Sequence, residues 1–245
     1  MTDDESREKT ERVYGRKAAR AVLEKRPDDV VKIAYVEALR MPLREHLRAA
    51  AARRAGYEEK SPEELALIAG SPHHEGICLK GRPRPVLWDL EAADDFTGVE
   101  GKVRLVALDG IENPHNIGGI ARTAAFLGVQ ALIVEEATLL TPAAVRVAEG
   151  GFEHLEVVRS RDLSRLLSAF ATQGFAIIGT DGKAREDARR FHYPDRTIIV
   201  LGGEARGMSD AVRAVLTHVV AIPGAGNIES LNVSVAAGVV LASMG

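Results

Sequence analysis

Apolar positions change their spacing along this chain, and the change divides it in two. Apolar residues recur at helical intervals from Arg16 to Lys25, Val30–Val36 is a β-branched run that reads as a strand, and Leu43–Ala55 is an Ala- and Arg-rich helix. Ser61-Pro62-Glu63-Glu64 then carries a helix start, with Ser61 as N-cap and Pro62 at the first helical position. This pattern predicts a small α/β domain over residues 12–80. From Lys102 onward, strand-like runs (Val103–Leu108, Ala131–Val134, Phe175–Gly179, Thr197–Leu201 and Val219–Ile222) alternate with helical patterns near Gly118–Leu127, Leu163–Thr172, Asp210–Leu216 and Leu231–Ser243. Such alternation predicts an α/β domain over 101–245, a mostly parallel sheet covered on both faces, with ligands bound beyond the carboxyl ends of its strands. Residues 81–100, stiffened by Pro83 and Pro85 and acidic at Asp89, Glu91, Asp94, Asp95 and Glu100, are expected to be a linker, and the polar residues 1–11 a disordered tail.

Composition narrows the class. A length of 245 residues exceeds the roughly 100–200 of one domain, which fits the division into two. No apolar run reaches the roughly 18 residues of a membrane span, and the acidic start Met1-Thr2-Asp3-Asp4-Glu5-Ser6 is unlike a secretory signal, so a cytoplasmic protein is expected. The single cysteine, Cys78, excludes an intrachain disulfide and a cysteine-cluster zinc site, and is expected to be a small buried apolar residue. A formal net charge of −3 argues against indiscriminate coating of nucleic acid. The cations are nevertheless grouped: Arg16 and Arg20, and Arg40, Arg44 and Arg48, recur every four residues along helix faces. Two meanings remain open for these rows, a solvated face or a phosphate-facing surface.

Three segments carry candidate chemistry. The first runs from Leu108 to Thr123 as Leu-Asp-Gly-Ile-Glu-Asn-Pro-His-Asn-Ile-Gly-Gly-Ile-Ala-Arg-Thr, a strand leading into a helix whose free N–H groups suit a polar ligand. Asn116 is expected there as an N-cap, and Arg122, set among Ile120, Ala121, Ala124 and Ala125, as either an ion-pair partner or a functional cation, since a guanidinium among apolar neighbours needs a specific anion to offset its desolvation. The second, Leu201-Gly202-Gly203-Glu204-Ala205-Arg206-Gly207-Met208, is a strand ending in glycines that permit close backbone approach; it lacks both the dinucleotide and the phosphate-loop spacing. Glu204 follows the strand directly, placed either for a functional acid or for an ordinary salt bridge. In the third, Ile222-Pro223-Gly224 leads to Ser230-Leu231-Asn232-Val233-Ser234, where polar residues interrupt an apolar run and must be capped internally or aimed at a ligand. The helix that follows is apolar on nearly every side, which predicts burial all round, in the core or against a second subunit.

In order and spacing, Asn116-x5-Arg122, Leu201-Gly202-Gly203-Glu204-x2-Gly207-Met208 and Ile222-Pro223-x6-Ser230-Leu231-Asn232 resemble the three motifs of the SpoU/TrmH-type RNA ribose 2′-O-methyltransferases. The front domain, from Val13-Tyr14-Gly15 to His73-His74-Glu75-Gly76-Ile77, resembles that family's L30e-like substrate-binding domain, with Glu75 where many relatives have Gln. The resemblance implies a SPOUT-type fold with a C-terminal trefoil knot, bound S-adenosylmethionine, and a homodimer whose site draws on both subunits. It implies methyl transfer to an RNA ribose hydroxyl without a metal. Arg122 would act at the acceptor hydroxyl, with Asn116, Glu204, Ser230 and Asn232 arranging the site. Leu201, Gly202, Gly203, Ile222 and Leu231, with Thr180 a weaker addition, would contact the cofactor, and Arg16, Arg20, Arg44 and Arg48 the RNA. The alternative of a different class is an RNA-binding protein of the same fold that no longer catalyses.

Overall fold

A computed structural model describes residues 10–89, 94–96, 98–138 and 140–245, so the expected tail lies outside the described residues except for Thr10 and Glu11. The front domain is built on four strands, β1 (Glu11–Tyr14), β2 (Val30–Tyr35), β3 (Gly56–Glu59) and β4 (Ile77–Gly81), in the order β1-β4-β2-β3. Helices α1 (Arg16–Lys25) and α2 (Arg44–Ala52) cover one face, packing Ala18, Ala19, Val22, Leu47 and Ala50 against Val13, Ile33, Tyr35 and Leu79. The shorter α3 (Pro62–Ala69) lies on the other face over Tyr14, Ala34 and Cys78. Its start is a capping box in which the Ser61 side chain accepts from the Glu64 N–H and the Glu64 carboxylate from the Ser61 N–H. Cys78 is buried, and burial pushes its thiol up to about 11.

Among the described residues the rear domain holds eight strands: β5 (Leu87–Trp88), β6 (Val103–Asp109), β7 (Ala131–Glu135), β8 (Glu156–Ser160), β9 (Ala176–Thr180), β10 (Glu186–Asp187), β11 (Arg196–Gly202) and β12 (His218–Ala221). They lie in the order β10-β12-β9-β11-β6-β7-β8-β5, and every pairing is parallel. Such a sheet is covered on both faces. One layer is α4 (Pro114–Phe126), α5 (Pro142–Val147) and α8 (Val233–Ala242); the other is α6 (Leu163–Thr172) and α7 (Asp210–Arg213). The expected linker contributes Gly81 to β4 and Leu87–Trp88 as an edge strand on β8, while its residues 90–93 and 97 lie outside the described residues.

Two helix starts correct the sequence expectation. The helix placed near Gly118 begins at Pro114, and its N-cap is Asn113, whose side chain accepts from the His115 N–H; Asn116 is therefore free of capping duty. The last helix begins at Val233 with Asn232 as its N-cap. Within one chain α8 is buried on one side: Ala237, Val240 and Leu241 face the core, and Val235 is 52% exposed, which leaves of the two expected kinds of burial only that against a second subunit. Phe126 at the end of α4, 87% exposed, is a second uncovered apolar side chain of this layer.

The two domains share one apolar core. Ala18, Val22 and Leu23 of α1 belong to the same cluster as Ala144, Ala148 and Phe152 of the rear domain. Gly150, at φ 95°, lets the two backbones meet, since a Cβ there would lie 2.7 Å from that of Ala21. Beside it, Arg26 bonds Glu11 and, at 2.8 Å, Glu153, while Arg84 lies 3.3 Å from Glu153 and 5.0 Å from the Phe152 ring centroid. Burial opposes the charge on Arg26, but the Glu153 and Glu11 carboxylates outweigh it and hold the guanidinium above its ordinary pKa.

Candidate active site

The carboxyl ends of four neighbouring strands, β12, β9, β11 and β6, converge at Ala221, Thr180, Gly202 and Asp109. The chain leaves β6 toward β7 on one side and β11 toward β12 on the other, so this edge is a topological switch point, where open α/β sheets bind ligands. The loop after β11 folds tightly against it. Asp109 accepts from Gly203 N–H through its carbonyl, 2.9 Å, and from Ser209 N–H through its buried carboxylate, 2.6 Å; Gly207 N–H closes onto the Gly203 carbonyl at 2.8 Å. A Cβ on Gly202 would sit 2.4 Å from the Met208 nitrogen, so only glycine fits this fold of the loop.

The expected cofactor positions surround this edge. Thr180 donates its hydroxyl to the Val200 carbonyl at 3.3 Å, Leu201 is fully buried and can offer a ligand only its backbone, and Ile222 is half-buried. Leu231 is 47% exposed and nearby Ile228 81%, two apolar side chains on an otherwise polar loop. Glycine-lined backbone, strand-end polar groups and uncovered apolar side chains suit a small amphipathic cofactor.

A polar network draws the three segments together. Asn116 Nδ2 donates to Glu204 Oε1 at 3.2 Å, and Asn232 Nδ2 donates both to Asn116 Oδ1 and to Glu204 Oε1, each at 2.9 Å. Asn232 Oδ1 accepts from the backbone N–H and hydroxyl of Ser234, 2.9 and 2.6 Å, which caps α8. Asn116 is buried and Glu204 exposed, so the network runs from the core to the surface at the strand edge. Glu204 Oε2 accepts no hydrogen bond among the described residues. Ser230 lies exposed on the approach to Asn232 and outside this network.

Arg122 departs from expectation. Its side chain is 55% exposed, and it pairs with Glu149 at 3.0 Å, which also takes Lys17 at 2.5 Å. Its apolar neighbours in sequence, Ile120, Ala121 and Ala124, face the core, and Arg122 leaves the helix on another side. Six residues separate it from Asn116, about 9 Å along the axis and roughly 120° around it. Within one chain the structure does not bring Arg122 to the Asn116–Glu204–Asn232 network. Sequence reasoning missed Glu149, Lys17 and Asp109, three charged residues whose partners are distant in the chain.

The arginine rows are placed differently from each other. Arg16 is held by Glu75, through its backbone N–H to the carboxylate at 3.0 Å and its Nε to the carbonyl at 2.9 Å, and Arg20 pairs with Glu24 at 2.7 Å. Arg44 and Arg48 are exposed on α2, with no ion pair among the described residues.

Comparison with known proteins fits this geometry. Residues 104–242 match the SpoU rRNA Methylase family and residues 12–86 match the domain described as RNA 2′-O ribose methyltransferase substrate binding. The chain belongs to the SpoU rRNA methylase family. One relative, the 23S rRNA (guanosine-2′-O-)-methyltransferase RlmB of Acinetobacter baylyi, is 33% identical over 95% of this SpoU chain and 96% of its own length. The uncharacterized tRNA/rRNA methyltransferase YfiF of Escherichia coli O157:H7 is 34% identical over 94% of this chain, which spans 66% of that protein. The SpoU methyltransferase AviRb from Streptomyces viridochromogenes, solved with AdoMet, superposes with a TM-score of 0.79 at 27% identity, covering 96% of this chain and 89% of that one.

Proposed function

We propose that this protein methylates a guanosine ribose of ribosomal RNA from a site completed by a second copy of the chain. Its general activity, S-adenosylmethionine-dependent transfer of a methyl group to an RNA ribose 2′-hydroxyl, follows from membership of the family. The ribosomal target is taken from relatives such as the Acinetobacter enzyme. The observation that carries the shared site is the separation of Arg122 from the polar network, together with the exposed apolar side chains of Phe126 on α4 and Val235 on α8. In this account α4 and α8 pack against the same helices of a second copy, which brings one subunit's Arg122 to the other's Asn116, Glu204 and Asn232. Residues 202–232 then form the cofactor-binding knot, and the front domain is L30e-like.

S-adenosylmethionine, when bound, supplies a sulfonium-activated methyl group for in-line displacement. The glycine loop Gly202–Gly203, Ile222, Leu231 and the end of β9 at Thr180 would hold it. The chain's own residues align the acceptor and manage its proton. Arg122 cannot take that proton, because a guanidinium presents five N–H donors and no acceptor. Its charge stabilises the developing alkoxide or grips the adjacent phosphate. Glu204 keeps one oxygen free for a ligand hydrogen bond, while its other oxygen and the two asparagines fix its position.

The test is transfer of labelled methyl from S-adenosylmethionine to purified 23S rRNA and, in parallel, tRNA, with ribose-methylation mapping of the product. Label at one 2′-oxygen of 23S rRNA is expected. Label on tRNA alone contradicts the ribosomal target, and RNA binding without transfer selects the catalytically silent alternative.

A further inference from the structure

The front sheet is covered on its second face only over part of its width, and the uncovered part is a row of cations. Arg12 on β1 lies directly opposite Lys80 on β4, and Lys80 directly opposite Lys32 on β2. Residues paired in this way project to the same face with Cβ atoms about 4.5–5.5 Å apart, and like charges so placed destabilise a sheet. They border a groove of about 470 Å³, floored by the sheet at Ala34 and Cys78 and walled by Ile68 of α3. Protection of an exposed edge does not explain Lys80 and Lys32, because β4 and β2 are the two central strands of the sheet. Internal pairing offsets them only in part. Among the described residues one carboxylate, Glu58, borders the groove, and it is shared by Lys32 at 2.8 Å and Lys60 at 3.7 Å, which leaves a net positive charge; Arg12 donates to the Ile68 carbonyl at 3.1 Å, and Lys80 is exposed without an ion pair among the described residues.

We infer that this groove is a second RNA contact, separate from the arginines of α1 and α2, in which Arg12, Lys80 and Lys32 hold consecutive phosphates of the substrate backbone. The inference rests on the RNA methyltransferase reading, and it adds a place where the front domain grips RNA through its sheet.

The test is the salt dependence of binding between the full-length protein and a fluorescently labelled RNA stem-loop, with S-adenosylmethionine binding measured by calorimetry on the same preparations. Lys80→Gln should lower the slope of log K against log salt by about 0.9, and Lys80→Gln with Lys32→Gln by about twice that. Lys80→Arg should restore the single loss, and Lys102→Gln, which removes an exposed lysine outside the groove, should change nothing. Cofactor affinity and melting temperature should stay at wild-type values throughout. An unchanged slope in the double variant, or an equal fall in Lys102→Gln, overturns the groove. Loss of cofactor binding in the wild-type protein would instead count against the methyltransferase reading.

Discussion

Two glutamates four residues apart on one loop, Glu149 and Glu153, each hold an arginine, and they do so in opposite surroundings. At the domain junction, Glu153 and Arg26 have side chains only 5% and 12% exposed, with Arg84 packed beside them. At the edge of α4, Glu149 is 31% and Arg122 55% exposed. A buried pair is bound into the fold, since removal of one partner strands the other without water. An exposed pair is worth little and can be exchanged for a ligand phosphate or a second chain. The same chemistry thus welds the domains together at one end of the loop and leaves a usable cation at the other.

The largest effect should come from the welded end. Glu153→Ala leaves Arg26 and Arg84 short of their shared carboxylate and should destabilise the protein by about 3–5 kcal/mol, read from urea unfolding. A loss below about 1 kcal/mol would mean that the junction is solvated like a surface pair.

At the other end, Arg122→Ala should lower single-turnover methyl transfer by about 10²–10³. Glu149 retains Lys17, so the same substitution should change stability by less than about 1 kcal/mol. Equal losses in rate and stability would make the two ends alike and remove the contrast.

The smallest effect concerns neither pair and sharpens the picture of the front sheet beside the junction. Burial raises the Cys78 thiol from about 9 to about 11, so it favours the neutral form in the folded state. Its contribution to stability is complete below pH 9 and is lost as pH rises from 9 to 11. Iodoacetamide at pH 8 should leave Cys78 unmodified in the folded protein and alkylate it in urea. Rapid native labelling would place the thiol in water.

Much of this was legible in the sequence, and the exceptions share a cause. Arg16–Lys25 and Leu163–Thr172 were read to the residue because amphipathic spacing is local. The strands Glu11–Tyr14, Gly56–Glu59 and Leu87–Trp88 were not, since each is short and made into a strand by its neighbours. Asn116, Glu204 and Asn232 could be picked out from their motifs, and the structure joins them. The surroundings of Arg122 could not, because apolar neighbours in sequence need not be neighbours on a helix surface, and its partner Glu149 lies 27 residues away.

If, as proposed, Arg122 and the Asn116–Glu204–Asn232 network act across two chains, mixing two inactive variants restores activity. Arg122→Ala and Asn232→Ala are each purified, shown to be folded and inactive, then mixed, dissociated and reassembled before methyl transfer is measured. A shared site gives every mixed dimer one intact centre, so about a quarter of wild-type activity should return when half the dimers are mixed. If both groups serve the same chain's site, every centre in the mixture lacks one of them, and the activity stays at the level of the separate variants.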